Sequence, residues 1–307
     1  MEKNSIRKDF LIDRYAIIAE GRGSRPVQFE KNNAESVGKV CFFCPGNEHL
    51  TPPEITRTAA DIGNGWSVRV FSNKFPALQP PEGSHEIIVD TNRHGVELGD
   101  MPEGDIRSLF EMYEQRRIEL EKEFMYVSIF KNKGREAGAS LSHSHSQLIA
   151  MYMLPHLVAK ENEKAEQHYY TKGSCPFCDY ISTIDKKRVA FETDSVIAIT
   201  PNAPRYPYEL WIFPKKHVAN FSGLDDNAKS DFLSTLKKAL KKLDKLSGSP
   251  PYNFYLHNSP KGSERWYHFH LELLPRLSTY AGFELGSEVY ICTVPPDMAA
   301  QFYREDI

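Results

Sequence analysis

Four of the chain's five cysteines stand in two Cys-x-x-Cys pairs, Cys41/Cys44 and Cys175/Cys178. The thiolate is the metal-binding and nucleophilic form of cysteine, and two thiolates a short turn apart can face a single ion. Where thiols are kept reduced, such pairs read as metal knuckles or redox centres, not as disulfides. A thioredoxin-like site wants the motif opening a helix, whereas Cys41-Phe-Phe-Cys44-Pro-Gly and Cys175-Pro-Phe-Cys178-Asp read as knuckle turns. The pairs are too far apart to form one site by spacing alone. Each therefore needs two further ligands, and neutral imidazoles are the expected source for zinc. Cys292, in the apolar stretch Val289 to Val294, reads as a small buried hydrophobe.

Internal repetition supplies the imidazoles. The segment His85-Glu-Ile-Ile-Val-Asp-Thr-Asn-Arg-His94 is a short apolar strand that ends in histidine, and Tyr208-Glu-Leu-Trp-Ile-Phe-Pro-Lys-Lys-His217 has the same shape. The interval from Glu86 to His94 equals that from Glu209 to His217. Each segment precedes an amphipathic helix. The first spans about Pro102 to Phe124, with Ile106, Leu109, Phe110, Tyr113 and Leu120 on one face. The second starts near the capping Asp225 and carries Phe232, Leu233, Leu236, Leu240 and Leu243. Strands at Tyr126 to Phe130 and Tyr252 to His257 come next, then a polar loop, then histidines at alternate positions: His143-Ser-His145-Ser-Gln147 and His268-Phe-His270-Leu-Glu272.

The chain thus reads as α+β: two tandem α/β units, each an antiparallel sheet with helices on one side, in a duplicated pseudo-symmetric arrangement. The expected boundaries are 1–154 for the first unit, 155–174 for a polar, helix-compatible connector and 175–307 for the second. The repeat proposes two metal sites of one design, Cys41, Cys44, His94, His143 and Cys175, Cys178, His217, His268, with His49 and His257 as rival ligands. Two thiolates and two imidazoles suit tetrahedral zinc with no open position, hence a structural role.

On an extended strand His143, His145 and Gln147 share one face. Anchoring His143 to metal aims His145 into the same cleft. The preceding segment, Asn132 to Ser140, is glycine-bearing and rich in backbone and hydroxyl donors, which suits a phosphate-bearing ligand beside a nucleophilic imidazole. Histidine is partly unprotonated near neutrality and so is competent to attack phosphorus.

The run Phe130-Lys-Asn-Lys-Gly-Arg-Glu-Ala-Gly-Ala-Ser-Leu-Ser-His-Ser-His-Ser-Gln-Leu-Ile-Ala150 resembles the galactose-1-phosphate uridylyltransferase family, the transferase branch of the histidine-triad superfamily. The resemblance covers nearly the full chain. It starts at Gly21-Arg22-Gly-Ser-Arg25-Pro26, passes through Cys-Phe-Phe-Cys-Pro-Gly-Asn and Phe71-Ser-Asn73-Lys-Phe-Pro-Ala, and ends near Gly282-Phe283-Glu284. It implies two histidine-triad-like units and a double displacement. His145 attacks the α-phosphorus of a nucleotide sugar, expels hexose 1-phosphate, and passes the nucleotidyl group to a second phosphate acceptor. It further implies that Gln147 hydrogen-bonds the nucleotidyl phosphate, that Arg22 and Arg25 belong to a substrate-binding N-terminal loop, and that Asn73, Asn132 and Ser140 contact phosphate or nucleotide. Glu284 is implied to contact the hexose across a homodimer interface.

The uridylyl-transferring members usually carry His-Pro-His-Gly-Gln. His-Ser-His-Ser-Gln looks closer to adenylyl-transferring, ADP-glucose phosphorylase-like members, whose acceptor is inorganic phosphate instead of hexose 1-phosphate. Both readings stand at this point, as does a zinc-containing nucleotide-binding protein in which His145 is idle. Asn73 could equally cap a turn, and Asn132 and Ser140 could only order their loop.

Composition narrows the partners. The 307 residues carry a net charge of −3, with 26% charged and 40% hydrophobic residues, an ordinary globular balance with no general pull toward nucleic acid or an anionic membrane. No run is long and apolar enough for a membrane span, and no signal-peptide pattern opens the sequence, so a cytoplasmic setting is expected. Gly21-x-Gly23 lacks the P-loop lysine and following helix, which discards a nucleoside-triphosphatase reading.

Overall fold

The computed structural model describes residues 4–24, 40–59, 65–246 and 249–305. In chain order the strands and α-helices of these residues are β1 (Ser5–Lys8), β2 (Tyr15–Ile18), β3 (Glu54–Ala59), β4 (Trp66–Ser72), β5 (Gly83–Val89), α1 (Glu103–Leu120), β6 (Tyr126–Lys133), β7 (His145–Met151), α2 (His156–Lys172), α3 (Pro176–Ser182), β8 (Val189–Glu192), β9 (Val196–Ile199), β10 (Leu210–Pro214), α4 (Asp226–Asp244), β11 (Tyr252–His257), β12 (His270–Pro275), α5 (Gly282–Ser287), β13 (Val289–Cys292) and α6 (Pro296–Arg304).

Ten strands form one sheet in the order β3-β4-β5-β7-β6-β11-β12-β10-β9-β8, and β1, β2 and β13 form a small second sheet. Counted inward from either edge, the large sheet repeats one pattern: β3-β4-β5-β7-β6 from one side, β8-β9-β10-β12-β11 from the other. The two halves meet where β6 pairs antiparallel with β11, Phe130 opposite Tyr255 and Asn132 opposite Asn253. The repeat read from spacing is therefore a pseudo-two-fold within a single hydrogen-bonded sheet.

Both expected amphipathic helices lie on one face of that sheet. Ile106, Leu109, Phe110 and Tyr113 of α1 and Phe232, Leu236 and Leu240 of α4 pack on Val70, Ile88, Ile129, Leu148, Leu256 and Leu271 in one continuous core. Burying each of the larger apolar side chains contributes roughly 1.5–3 kcal/mol. Helix α4 starts as expected, the Asp225 carboxylate accepting from the Ala228 N–H at 2.9 Å. Among the described residues no helix is long and apolar enough to cross a membrane.

Two expectations are corrected. Helices do not keep to one side: α2 and α3 cover the opposite face of the second half, where Val158, Ala165, Phe177 and Ile181 pack on Ile197, Ile199, Trp211 and Phe213. The cause is that β9 and β10 are apolar on both faces and need cover on both. The second cysteine pair, in turn, does open a helix, with Cys175 as the cap of α3 and Pro176 in its first turn. The connector read as helix-compatible is α2, and Cys292 is fully buried.

Candidate active site

Strand β7 lies between β5 and β6, with Val89 opposite His145, and with Ile87 and Phe130 on either side of Gln147. His143 precedes the strand and is fully buried. Its backbone carbonyl accepts the His145 Nδ1–H at 2.8 Å, which leaves the Nε2 lone pair of His145 free. The Phe43 ring meets the imidazole edge-on at 5.3 Å. Burial pushes the His145 pKa below its ordinary 6.5, so the ring is neutral at pH 7.

Gln147 is oriented by a residue the sequence reading missed. The Ala77 N–H donates to His85 Nδ1 at 3.0 Å, so the ring proton sits on Nε2 and is donated to Gln147 Oε1 at 2.8 Å. The Gln147 –NH₂ is thereby turned away from His85 and left as a donor. Asn73 lies against the same ring, its Oδ1 accepting from the Phe75 N–H at 2.9 Å. Only the pairing of β5 with β7 reveals His85, because nothing local to it signals a partner 62 residues away.

The loop after β6 turns at Gly134 and Gly138, whose φ values of 83° and 88° lie in the left-handed region that favours glycine. A Cβ on Gly134 would also stand 2.7 Å from Pro251. Asn253 of β11 holds the loop, its Nδ2 donating to Asn132 Oδ1 at 2.7 Å and to the Ala137 carbonyl at 2.8 Å. Ser140 is exposed on this loop. Asn132 lines a cavity of about 460 Å³ with Arg205, Tyr206, Tyr255, Arg276 and Tyr280.

Each cysteine pair gathers two histidines. Ligand atoms of Cys41, Cys44, His94 and His143 lie within 4.8 Å of one another, as do those of Cys175, Cys178, His217 and His268. Sulfur-to-Nδ1 distances run 3.5 Å for Cys41–His143, 3.4 Å for Cys44–His94, 3.4 Å for Cys178–His217 and 3.3 Å for Cys178–His268. The edge of a tetrahedral zinc site built from S and N ligands is about 3.5 Å. Tautomers fit as well: His143 Nε2–H donates to the Thr91 carbonyl and His217 Nε2–H to the Glu264 carbonyl, both at 2.8 Å, which points each Nδ1 lone pair at the sulfurs. His49 and His257 belong to neither cluster.

The second half repeats the site and seals it. His270 Nδ1–H donates to the His268 carbonyl at 2.9 Å, as His145 does to His143, and the Phe177 ring lies tilted 5.2 Å from its ring, where Phe43 meets His145 edge-on. Where Gln147 stands in the first half, Glu272 is fully buried and ion-paired with Arg205 at 2.5 Å, and Arg205 also binds Glu209. His257 lies 4.5 Å from the His270 ring and is ion-paired with buried Glu161 at 2.8 Å.

The remaining expected site residues are scattered. Arg22 is exposed in the turn Glu20–Ser24, and Arg25 lies outside the described residues. Glu284 caps its own helix α5 by accepting from the Ala281 N–H at 2.9 Å, between the exposed Phe283 and Leu285.

The chain matches a family described as galactose-1-phosphate uridyl transferase, its N-terminal domain over residues 72–155 and its C-terminal domain over residues 127–289. It is 32% identical over 327 residues to ADP-glucose phosphorylase of Arabidopsis thaliana, covering 98% of this chain and 92% of that protein. Identity to galactose-1-phosphate uridylyltransferase of Thermotoga maritima is 30% over 329 residues, covering 98% of each. Among solved structures, ADP-glucose phosphorylase from Arabidopsis thaliana with bound ADP-glucose superposes with a TM-score of 0.88 at 31% identity, over 99% of this chain and 100% of the other. A uridylyltransferase superposes at 0.74 and 27% identity, over 98% and 97%.

Proposed function

The chain belongs to the galactose-1-phosphate uridyl transferase family and is a nucleotidyl-transferring enzyme, and from that premise we propose that it works by double displacement through a nucleotidyl-His145 intermediate. The observation that carries this reading is the fixed tautomer of His145, with Nδ1–H bound to the His143 carbonyl and Nε2 free. In the first step Nε2 forms a bond to the α-phosphorus of a nucleotide sugar, the bond to the bridging oxygen breaks, and hexose 1-phosphate leaves with the electron pair. In the second, an acceptor phosphate oxygen attacks the same phosphorus and the imidazole departs neutral. Gln147 donates its –NH₂ to the phosphoryl oxygens as negative charge grows on them.

Asn73, Asn132 and Ser140 serve as phosphate and nucleotide contacts, with Arg22 and Arg25 in the N-terminal loop. Glu284 is read as the hexose contact supplied across a homodimer interface. The two Cys₂His₂ clusters are read as zinc sites; bound zinc would pin the His143 end of the catalytic strand and stabilise each half. Residues 1–154 carry the chemistry, 155–174 connect, and 175–307 form the sealed copy. A cytoplasmic setting fits thiolates that must stay reduced.

For donor and acceptor, adenylyl transfer from ADP-glucose to inorganic phosphate is favoured by the 0.88 TM-score over full length. Uridylyl transfer between UDP-glucose and a hexose 1-phosphate is the second reading, supported by the relative that matches over 98% of both chains. Incubation with ADP-glucose and, separately, UDP-glucose, each without acceptor, tests both. One donor should release hexose 1-phosphate in a burst and leave an acid-labile, base-stable adduct on His145. Absence of an adduct with either donor, alongside steady turnover, would reject double displacement.

A further inference from the structure

Strand β7 has a back as well as a front. While His145 and Gln147 face the cleft, Ser144 and Ser146 face the helix side and meet a charged cluster buried there. Lys131 Nζ donates to Asp90 Oδ2 and to Ser144 Oγ, both at 2.7 Å, and reaches the backbone carbonyl of His145 at 3.4 Å. Ser144 Oγ lies 3.1 Å from Asp90 Oδ2. Ser146 Oγ donates to Asp90 Oδ1 at 2.8 Å and accepts from Tyr113 of α1 at 2.5 Å. Glu97 closes the cluster, 3.5 Å from Lys131 Nζ. The side chains of Lys131 and Asp90 are 1% and 0% exposed.

Stability alone does not account for this cluster. Taking a lysine and an aspartate out of water is costly, and a well-packed apolar pair in the same place is often as stable or more so. Apolar residues already fill the adjacent positions of this layer at Ile129 and Leu148. What apolar residues cannot do is fix three successive residues of one strand by directed bonds. Here Ser144, the His145 carbonyl and Ser146 are each tied to a group from β6, from α1 or from the end of β5. The Asp90 N–H adds a further tie to the Ser144 carbonyl at 3.1 Å. Proline or glycine at 144 or 146 would offer neither hydroxyl.

We propose that Asp90, Lys131, Ser144, Ser146 and Tyr113 are positioning residues that hold the backbone of His145 from behind, so that Nε2 stays in line with the α-phosphorus. The inference rests on His145 being the nucleophile. In-line attack needs the reacting atoms about 3–3.5 Å apart and aligned, so a small backbone shift is felt as rate and much less as binding.

Single-turnover formation of the His145 adduct tests this on the whole enzyme, with zinc content and thermal midpoint measured alongside. The set is wild type, Ser146→Ala, Tyr113→Phe, their double variant, Lys131→Met, and Lys131→Met paired with Asp90→Asn. Ser146→Ala should slow adduct formation about tenfold and leave the KM for nucleotide sugar within about twofold. Tyr113→Phe should add little to Ser146→Ala, because both break one chain of bonds. The paired charge removal should recover the thermal midpoint lost in Lys131→Met but not the rate, a split that a purely structural role would not produce. Where Lys131→Met fails to fold, the Ser146 and Tyr113 variants carry the test. A wild type with no adduct on His145 overturns this inference together with the mechanism. A normal wild-type adduct, with Ser146→Ala and the paired variant at wild-type rate, overturns this inference alone.

Discussion

His85 and Gln147 are joined by a 2.8 Å hydrogen bond whose direction is set from the far side of the ring, because the Ala77 N–H already occupies Nδ1. A carboxamide can present either end to a ligand. Here the imidazole takes the oxygen end, and the donor end is what remains for a ligand.

Removing that control should cost rate. His85→Phe keeps much of the ring's bulk and lets the Gln147 amide rotate, so adduct formation should fall about tenfold, less than the roughly 10²–10³ expected for Gln147→Ala, which deletes the donor. Quenched-flow measurement of hexose 1-phosphate release compares the two. Equal rates for His85→Phe and wild type would show that Gln147 holds its rotamer unaided.

The pH profile follows from the burial of His145. Burial holds its pKa below 6.5, and the proposed nucleophile is the neutral ring. Adduct formation should therefore be flat through neutrality and fall only as pH drops through the lowered pKa, where protonation removes the Nε2 lone pair. Single-turnover rates across pH 5 to 8 check the sign, and an acid limb centred above 6.5 would contradict it. His145→Ala should form no adduct at any pH.

Metal content should come to two zinc ions per chain by elemental analysis. Cys175→Ser should remove one and destabilise the second half, because closed Cys/His sites add directly to folding free energy. His143→Ala should lose the other ion, and activity with it. One ion per chain with Cys175 and Cys178 dispensable would refute the second site.

In the sealed copy, Arg205 stands between the buried carboxylates of Glu209 and Glu272, within 2.5 Å of each. Arg205→Met removes the guanidinium that both carboxylates share, and a buried pair broken on one side typically costs about 3–5 kcal/mol, so the denaturation midpoint should fall by that equivalent. The exposed Lys8–Asp13 pair is the control, and Lys8→Ala should leave the midpoint unchanged.

What the sequence made legible is what chemistry makes local. The Cys-x-x-Cys pairs, the alternating histidines and the spacing between them needed no knowledge of pairing, and the structure gathers the eight residues into the two clusters their repeat proposed. Helices α1 and α4 were legible because their apolar periodicity is long. The helix at Cys175 is signalled by Pro176, since proline in a first helical turn favours a start. The roles of His85, Lys131 and Asn253 depend instead on register between strands far apart in the chain, which composition does not encode. The same holds for the cover that α2 and α3 give the second half, which arises from apolar residues on both faces of β9 and β10.

The single amide of Asn253 ties the loop of the first half to a strand of the second. A substitution at one position in β11 would register as slackness in the loop that leads to His145. The two halves are thereby coupled, and a change written into the second is felt at the loop of the first.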